Sequence, residues 1–188
     1  MNPMISRRVF GLLALALTAC AAPRKRDPGL PLLHLPPAEL GRPLSLVQRL
    51  SVRRLAAIDE PPQVVDVLLE ADAASLRLAG FALNQRVLTM SWDGQALTVQ
   101  RHPLLPAQVE EKRILRDLCL VYWPAESLRQ RLPEGWLLRA DAGGRRLFDA
   151  DRLALSVEFQ GSEENGRVLL LNLLEGYELL IESKLQGP

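Results

Sequence analysis

The chain is poor in the residues that build metal and disulfide sites: two cysteines and two histidines in 188 residues. His34 and His102 stand far apart near prolines, and no Cys/His pair has the spacing of metal ligands, so no metal is expected. Two cysteines cannot make a disulfide framework. Charge of one sign is also missing, with 23 basic against 22 acidic residues and a net +1. Nucleic acid requires a basic stripe, and none is present. There is no G-x-S-x-G elbow, Walker loop or G-x-G-x-x-G turn, and no cofactor is expected. With no convergent catalytic set, the chain does not read as an enzyme.

What is present begins at the N-terminus. Ser6, Arg7 and Arg8 form a short basic start, and Val9 to Leu17 is uncharged and apolar. This run falls short of the roughly 20 apolar residues of a mature anchor, as a cleaved export signal does. It closes on Leu17, Thr18, Ala19 and Cys20, which resembles the lipobox of bacterial lipoproteins. That resemblance implies a signal peptide over 1–19 and acylation of Cys20, with an ordinary signal and a chance cysteine as the alternative. Several acyl chains would make a lasting anchor, where one holds only marginally. Arg7-Arg8 also fits a twin-arginine signal, which leaves the export route open. Ala21, in place of an aspartate, implies an outer-membrane lipoprotein facing the periplasm. Removal of Arg7 and Arg8 with the signal leaves a formal charge near −1.

Residues 20–43 carry prolines at 23, 28, 31, 36, 37 and 43 and the cluster Arg24, Lys25, Arg26. They read as a tether, with a single domain over 44–188. From Leu44 the pattern changes. Leu44, Leu46, Gln48, Leu50 and Val52 alternate as a strand, and 64–69 and 75–78 read likewise. The clearest hairpin joins 86–92 to 95–100 through Asp93-Gly94, a favoured two-residue type I′ pair. That turn would set Trp92 against Gln95, Met90 against Leu97 and Leu88 against Val99. Leu88, Met90, Trp92, Leu97 and Val99 then share one face.

The spacing of Ile114, Leu115, Leu118, Val121 and Tyr122 predicts a helix over 110–123, and Pro124 opens a second over 125–132. Strands return at 136–139, 145–148, 153–159, 168–174 and 177–181, with turns at Gly143-Gly144 and Glu175-Gly176. The fold class is therefore mostly β with a helical insertion, a meander that curls towards a barrel. Asp117, among leucines, reads as an acid paired with Arg113 or Arg116 ahead of any catalytic role. Cys119, in an apolar run, reads as a small buried hydrophobe.

Three stretches, 35–50, 113–128 and 176–183, resemble the bacterial lipoprotein family filed as domain of unknown function 3261. Leu115 to Pro124 is the most specific element. More distantly the chain is similar to the LolA/LolB lipoprotein-carrier group. That likeness implies an unclosed antiparallel barrel whose concave side is plugged by helices around a greasy pocket. The stripe Leu88, Met90, Trp92, Leu97 and Val99, with Leu118, Tyr122, Trp123 and Leu128, is then the candidate ligand-binding set, a plain core being the alternative at each position. The expected partners are the membrane, through the Cys20 acyl chains, and a hydrophobic ligand that the resemblance implies to be an acyl chain, an aryl polyene lipid or a lipoprotein. An envelope protein partner is the alternative.

Overall fold

The computed structural model describes residues 29–106 and 109–187. The signal peptide, Cys20, Ala21 and the basic cluster at 24–26 lie outside these residues. Ten strands alternate in sequence order with one helical insertion: β1 (Leu44–Arg54), β2 (Gln63–Ala71), β3 (Leu76–Ala82), β4 (Gln85–Trp92) and β5 (Leu97–Arg101), then α1 (Glu111–Tyr122) and α2 (Ala125–Arg131). The second half holds β6 (Trp136–Asp141), β7 (Gly144–Asp149), β8 (Arg152–Gly161), β9 (Gly166–Asn172) and β10 (Tyr177–Leu185).

All ten strands form one antiparallel sheet in the order β5-β4-β3-β2-β1-β10-β9-β8-β7-β6. It is two five-stranded meanders joined by the pairing of the first strand with the last, Leu46 opposite Leu185 through Arg54 opposite Tyr177. The helices carry the chain from one outer strand, β5, to the other, β6. The sheet is unclosed, and the fold is mostly β with two helices.

Alternation decides which face of the sheet is inner. On β1 the buried positions are Leu44, Leu46 and Gln48, and on β2 they are Val67, Leu69 and Ala71. The inner face packs on α1. That helix starts with Glu111 near the positive end of its dipole. It ends where Pro124 forces Trp123 into an extended conformation, at φ −74° and ψ 151°. Every residue from Leu115 to Trp123 is buried, not one stripe alone. A helix buried all round needs cover on both sides, and the second cover is the stretch preceding β1.

That stretch corrects the tether read over 20–43. Leu30, Leu33, Leu35 and Leu40 are buried in the main core, and Pro37–Leu40 forms a 3₁₀ turn. Prolines bar this segment from the ladder but leave its leucines free to pack. The packed domain therefore includes residues 30–43, upstream of the boundary at 44.

Two hairpins also differ from expectation. Asp93-Gly94 belongs to a longer connection, with Trp92 opposite Leu97, Met90 opposite Val99 and Leu88 opposite Arg101. The Asp93 carboxylate accepts the N–H groups of Gln95 and Ala96 at 2.8 and 2.7 Å, which stabilises the wider loop. Because the register moves by two residues, the same side chains share a face. The two-residue turn with positive φ at both positions lies instead at Leu83 and Asn84, at 50° and 60°. At the β6–β7 hairpin the turn is Ala142-Gly143, and Gly144 already pairs with Asp141. A Cβ on Gly144 would stand 2.1 Å from the Val157 carbonyl oxygen, so only glycine fits there.

Leucine is poorly suited to the left-handed conformation of Leu83, which costs roughly 1–2 kcal/mol for an ordinary L-residue. Leu83→Asn should therefore stabilise the chain by about 0.5–1 kcal/mol. Urea unfolding of the two chains side by side checks it; an unchanged or lower midpoint contradicts the strain.

Candidate functional site

The nine residues proposed to line a pocket do come together. Leu88, Met90, Trp92, Leu118, Tyr122, Trp123 and Leu128 are buried in one apolar cluster, with Leu97 and Val99 packed at its margin. They belong to the same apolar core as the leucines of the 30–40 segment. Their polar ends are satisfied inside the protein. Trp92 Nε1 donates to the Leu35 carbonyl at 2.8 Å, and Trp123 Nε1 donates to the Pro36 carbonyl at 3.0 Å. The two indoles thus fasten the N-terminal segment over the helix.

Tyr122 sits in a second polar knot. Gln48 Nε2, from β1, donates to Tyr122 Oη at 2.6 Å and to Ser183 Oγ, from β10, at 2.9 Å. All three residues are buried, and burial pushes the Tyr122 phenol above its ordinary range. Gln48 was visible in the sequence as the one polar member of an apolar alternation.

The third knot is charged. Arg116 is fully buried, and its guanidinium makes a fork with Glu175, Nη1 to Oε1 at 2.7 Å and Nη2 to Oε2 at 2.8 Å. Its Nε donates to Asp117 Oδ1 at 3.0 Å, and Nη2 also reaches Tyr177 Oη at 2.9 Å. Tyr177 in turn donates to Asp117 Oδ2 at 2.5 Å, and Asn172 Nδ2 donates to Glu175 Oε2 at 3.1 Å. The expected pairing of Asp117 with a neighbouring arginine is present, in the interior and not on a helix surface. Burial pushes the Asp117 carboxyl up. Burial acts the same way on Glu175, but the hydrogen bonds and charge of Arg116 outweigh it and hold that carboxyl below its usual range.

Arg145 is the other buried cation. It lies on the inner side of β7 with Leu147, and its Nη1 donates to the Leu120 and Trp123 carbonyls, both at 2.7 Å. It thereby closes the C-terminal end of α1, where a cation suits the dipole. Desolvation lowers its pKa, partly offset by Glu163 at 3.5 Å. The alternation of Arg145 with Leu147 was the signal for this inward arginine. Beside it lies an open depression of about 340 Å³, lined among others by Arg129, Asp141, Phe159 and Glu163. None of the nine expected residues lines it.

Cys119 is free and buried, as its apolar run implied, and burial pushes its thiol up to about 12. His34 and His102 do not meet a ligand set: among the described residues no group of three His, Cys, Asp or Glu side chains is placed to hold a metal.

The model of the family described as "Protein of unknown function (DUF3261)" matches residues 45–184, nearly all of the sheet and both helices. The chain belongs to the DUF3261 family. No curated protein matches it. The matched span contains Arg116, Asp117, Glu175 and Tyr177, as well as Gln48, Tyr122 and Ser183. The two polar knots that seat α1 therefore fall within the DUF3261 region, whereas the leucines of 30–40 precede it.

Glu175→Gln removes the charge opposite Arg116 and leaves Asp117 as its remaining anionic partner in the knot. A loss of about 3 kcal/mol at neutral pH is expected, at the lower end for breaking a buried pair. Because the folded pKa of Glu175 is depressed, its contribution is present above the ordinary value near 4.5 and is lost as pH falls through the folded value. Asp117, with a raised pKa, acts in the opposite sense. The difference in unfolding free energy between the parent and Glu175→Gln should therefore shrink on acidification below about pH 4.5, in denaturant titrations across pH. A pH-independent difference contradicts this assignment.

Proposed function

We propose that this DUF3261 protein is a lipid-anchored, non-enzymatic envelope protein that binds a hydrophobic chain, of acyl or polyene type, inside the half-barrel. The observation that carries the reading is the way its open side is covered. Leu30, Leu33 and Leu35 lie on a segment with neither helix nor strand, and they occupy the apolar interior that an acyl chain would fill. Directional bonds from Trp92 and Trp123 hold this cover. A ligand would enter by displacing it. Each CH₂ buried contributes roughly 0.8 kcal/mol, so a long chain competes with three leucines without polar contacts. In this reading the unclosed sheet with its inserted helix works as a LolA/LolB-like carrier would, and Cys20 holds it at the periplasmic face of the outer membrane. No helix among the described residues is long and apolar enough to cross a membrane.

A second reading, a scaffold subunit of an envelope complex, draws on the outer sheet face. There Val47 and Leu68 are cross-strand neighbours and exposed, with Val64 exposed further along β2 on the same face. A stable protein partner would engage such a patch.

Native mass spectrometry of the chain purified from the periplasmic fraction, together with uptake of a dansyl-labelled fatty acid, separates the two. Trp92→Phe with Trp123→Phe keeps an aromatic ring at each position and removes both donors, at roughly 1 kcal/mol per lost bond in addition to the cost of the smaller side chains. The carrier reading expects lipid adducts on the parent and uptake several-fold faster in the double variant. A bare mass with no uptake by either chain sinks it.

A further inference from the structure

The two ends of the sheet are built from different chemistry. At one end, the base, lie the β2–β3, β4–β5, β6–β7 and β8–β9 connections. Each is short and polar or small, and each is closed by its own side chain. Asp72, Asp93 and Asp141 accept two backbone N–H groups apiece, and Ser162 accepts that of Asn165. None carries a large exposed apolar residue.

The opposite end, the rim, reverses this. Four neighbouring connections in a row each present one such residue: Leu104 after β5 at 58% exposure, Leu83 between β3 and β4 at 89%, Ile58 between β1 and β2 at 47%, and Leu173 between β9 and β10 at 45%. The pattern stops at the β7–β8 turn, Ala150-Asp151. Leu83 is unfavourable twice over, being the most exposed large apolar residue described and held at positive φ. A leucine kept where folding alone would favour asparagine or glycine points to a requirement outside the fold.

We propose that this arc of four tips is a membrane-facing surface, which enters the headgroup region of a bilayer and sets the domain rim-down. Single apolar side chains on separate loops suit a fluid interface, which accommodates each tip independently. The position of the chain's entry supports the bilayer as occupant. His34, Leu35 and Pro36 meet Lys112, Cys119 and Trp123 of α1 in turn, so the segment runs along the helix in the same direction. The first turn of α1 is tied to the rim end of β5 by the Arg101–Glu111 pair. The described chain therefore enters this stretch from the rim side, and the expected acyl site Cys20 stands nine residues ahead of Gly29, the first described residue. Charges near the tips are of both signs, with Arg86 next to the Leu83 turn and Asp59 and Glu60 next to Ile58 in the sequence, so contact should depend little on salt. The orientation rests on the acylation of Cys20 argued above, whereas the apolar arc stands without it.

The full chain, purified from membranes and reconstituted in phosphatidylethanolamine/phosphatidylglycerol vesicles, is labelled with bimane at a single introduced cysteine. Cys119 is buried and its thiol raised to about 12, so it stays unlabelled. Leu83→Cys and Leu104→Cys report the rim, and Ala73→Cys reports the base. The proposal expects quenching by spin-labelled lipid several-fold stronger at 83 and 104 than at 73, little changed by 0.5 M salt. Rim labels quenched no more than the base label overturn it. The intact mass reports acylation separately. An acylated chain that floats with vesicles but leaves its rim unquenched keeps the anchor and refutes the surface. In an unacylated chain Cys20 is a second free thiol, so there the rim is read in a Cys20→Ser background, where a quenched rim refutes the anchor and keeps the surface.

Discussion

The buried guanidinium of Arg116 is the group on which the position of α1 depends. An unpaired cation in an apolar interior is costly by several kcal/mol, so α1 is held where Glu175, Asp117 and Tyr177 surround it. Glu175 sits in the β9–β10 turn, itself braced by Asn172, whose side-chain oxygen accepts the Glu175 N–H. Tyr122 repeats the logic lower down against β1 and β10, and Arg145 closes the helix from β7. Apolar burial drives the helix into the sheet without fixing its rotation or depth. The three polar knots supply that direction, because each has partners at one position only.

Much of the architecture was legible because the alternation is clean. The strands of both meanders, the shared face of Met90 and Trp92, and the helix pair broken at Pro124 follow from periodicity, whereas the grouping of that face with Leu118 and Tyr122 comes from the likeness to a helix-plugged half-barrel. The misreadings have physical causes. Asp93-Gly94 has the composition of a two-residue turn, but the aspartate side chain bonds to the loop backbone and widens it. Leu83-Asn84 forms the tight turn although leucine disfavours that conformation, and no local signal announced it. The proline-rich stretch looked like a tether because composition records which backbone ladders are barred, not where leucines between prolines find a surface. The partnership of Arg116 with Glu175 joins residues 59 apart in sequence, beyond what spacing reveals.

The interior brings together a filled core and a candidate ligand site without contradiction. Its lining is continuous, but part of the filling comes from a segment with no regular structure of its own, whose bonds to the body include the two indole donors. In the proposed reading this cover opens locally, at a smaller cost than global unfolding. The sheet and α1 are cross-linked by charge and buried hydroxyls, and form the stable part against which the cover can move.

The pairing of β1 with β10 has a consequence for how the protein is made. The strand synthesised last lies at the centre of the sheet, with its neighbour on one side among the first residues of the domain. Until residues 177–185 have emerged, neither meander can complete its inner edge, and the β1 and β9 edges stand open. Contacts such as Arg49 opposite Glu182 close a loop spanning almost the entire domain, the kind of pairing that slows folding. Folding of this sheet therefore waits for residues 177–185. A nascent or translocating chain must be kept from edge-to-edge association until residues 177–185 arrive, which makes this nine-residue strand the step that commits the sheet.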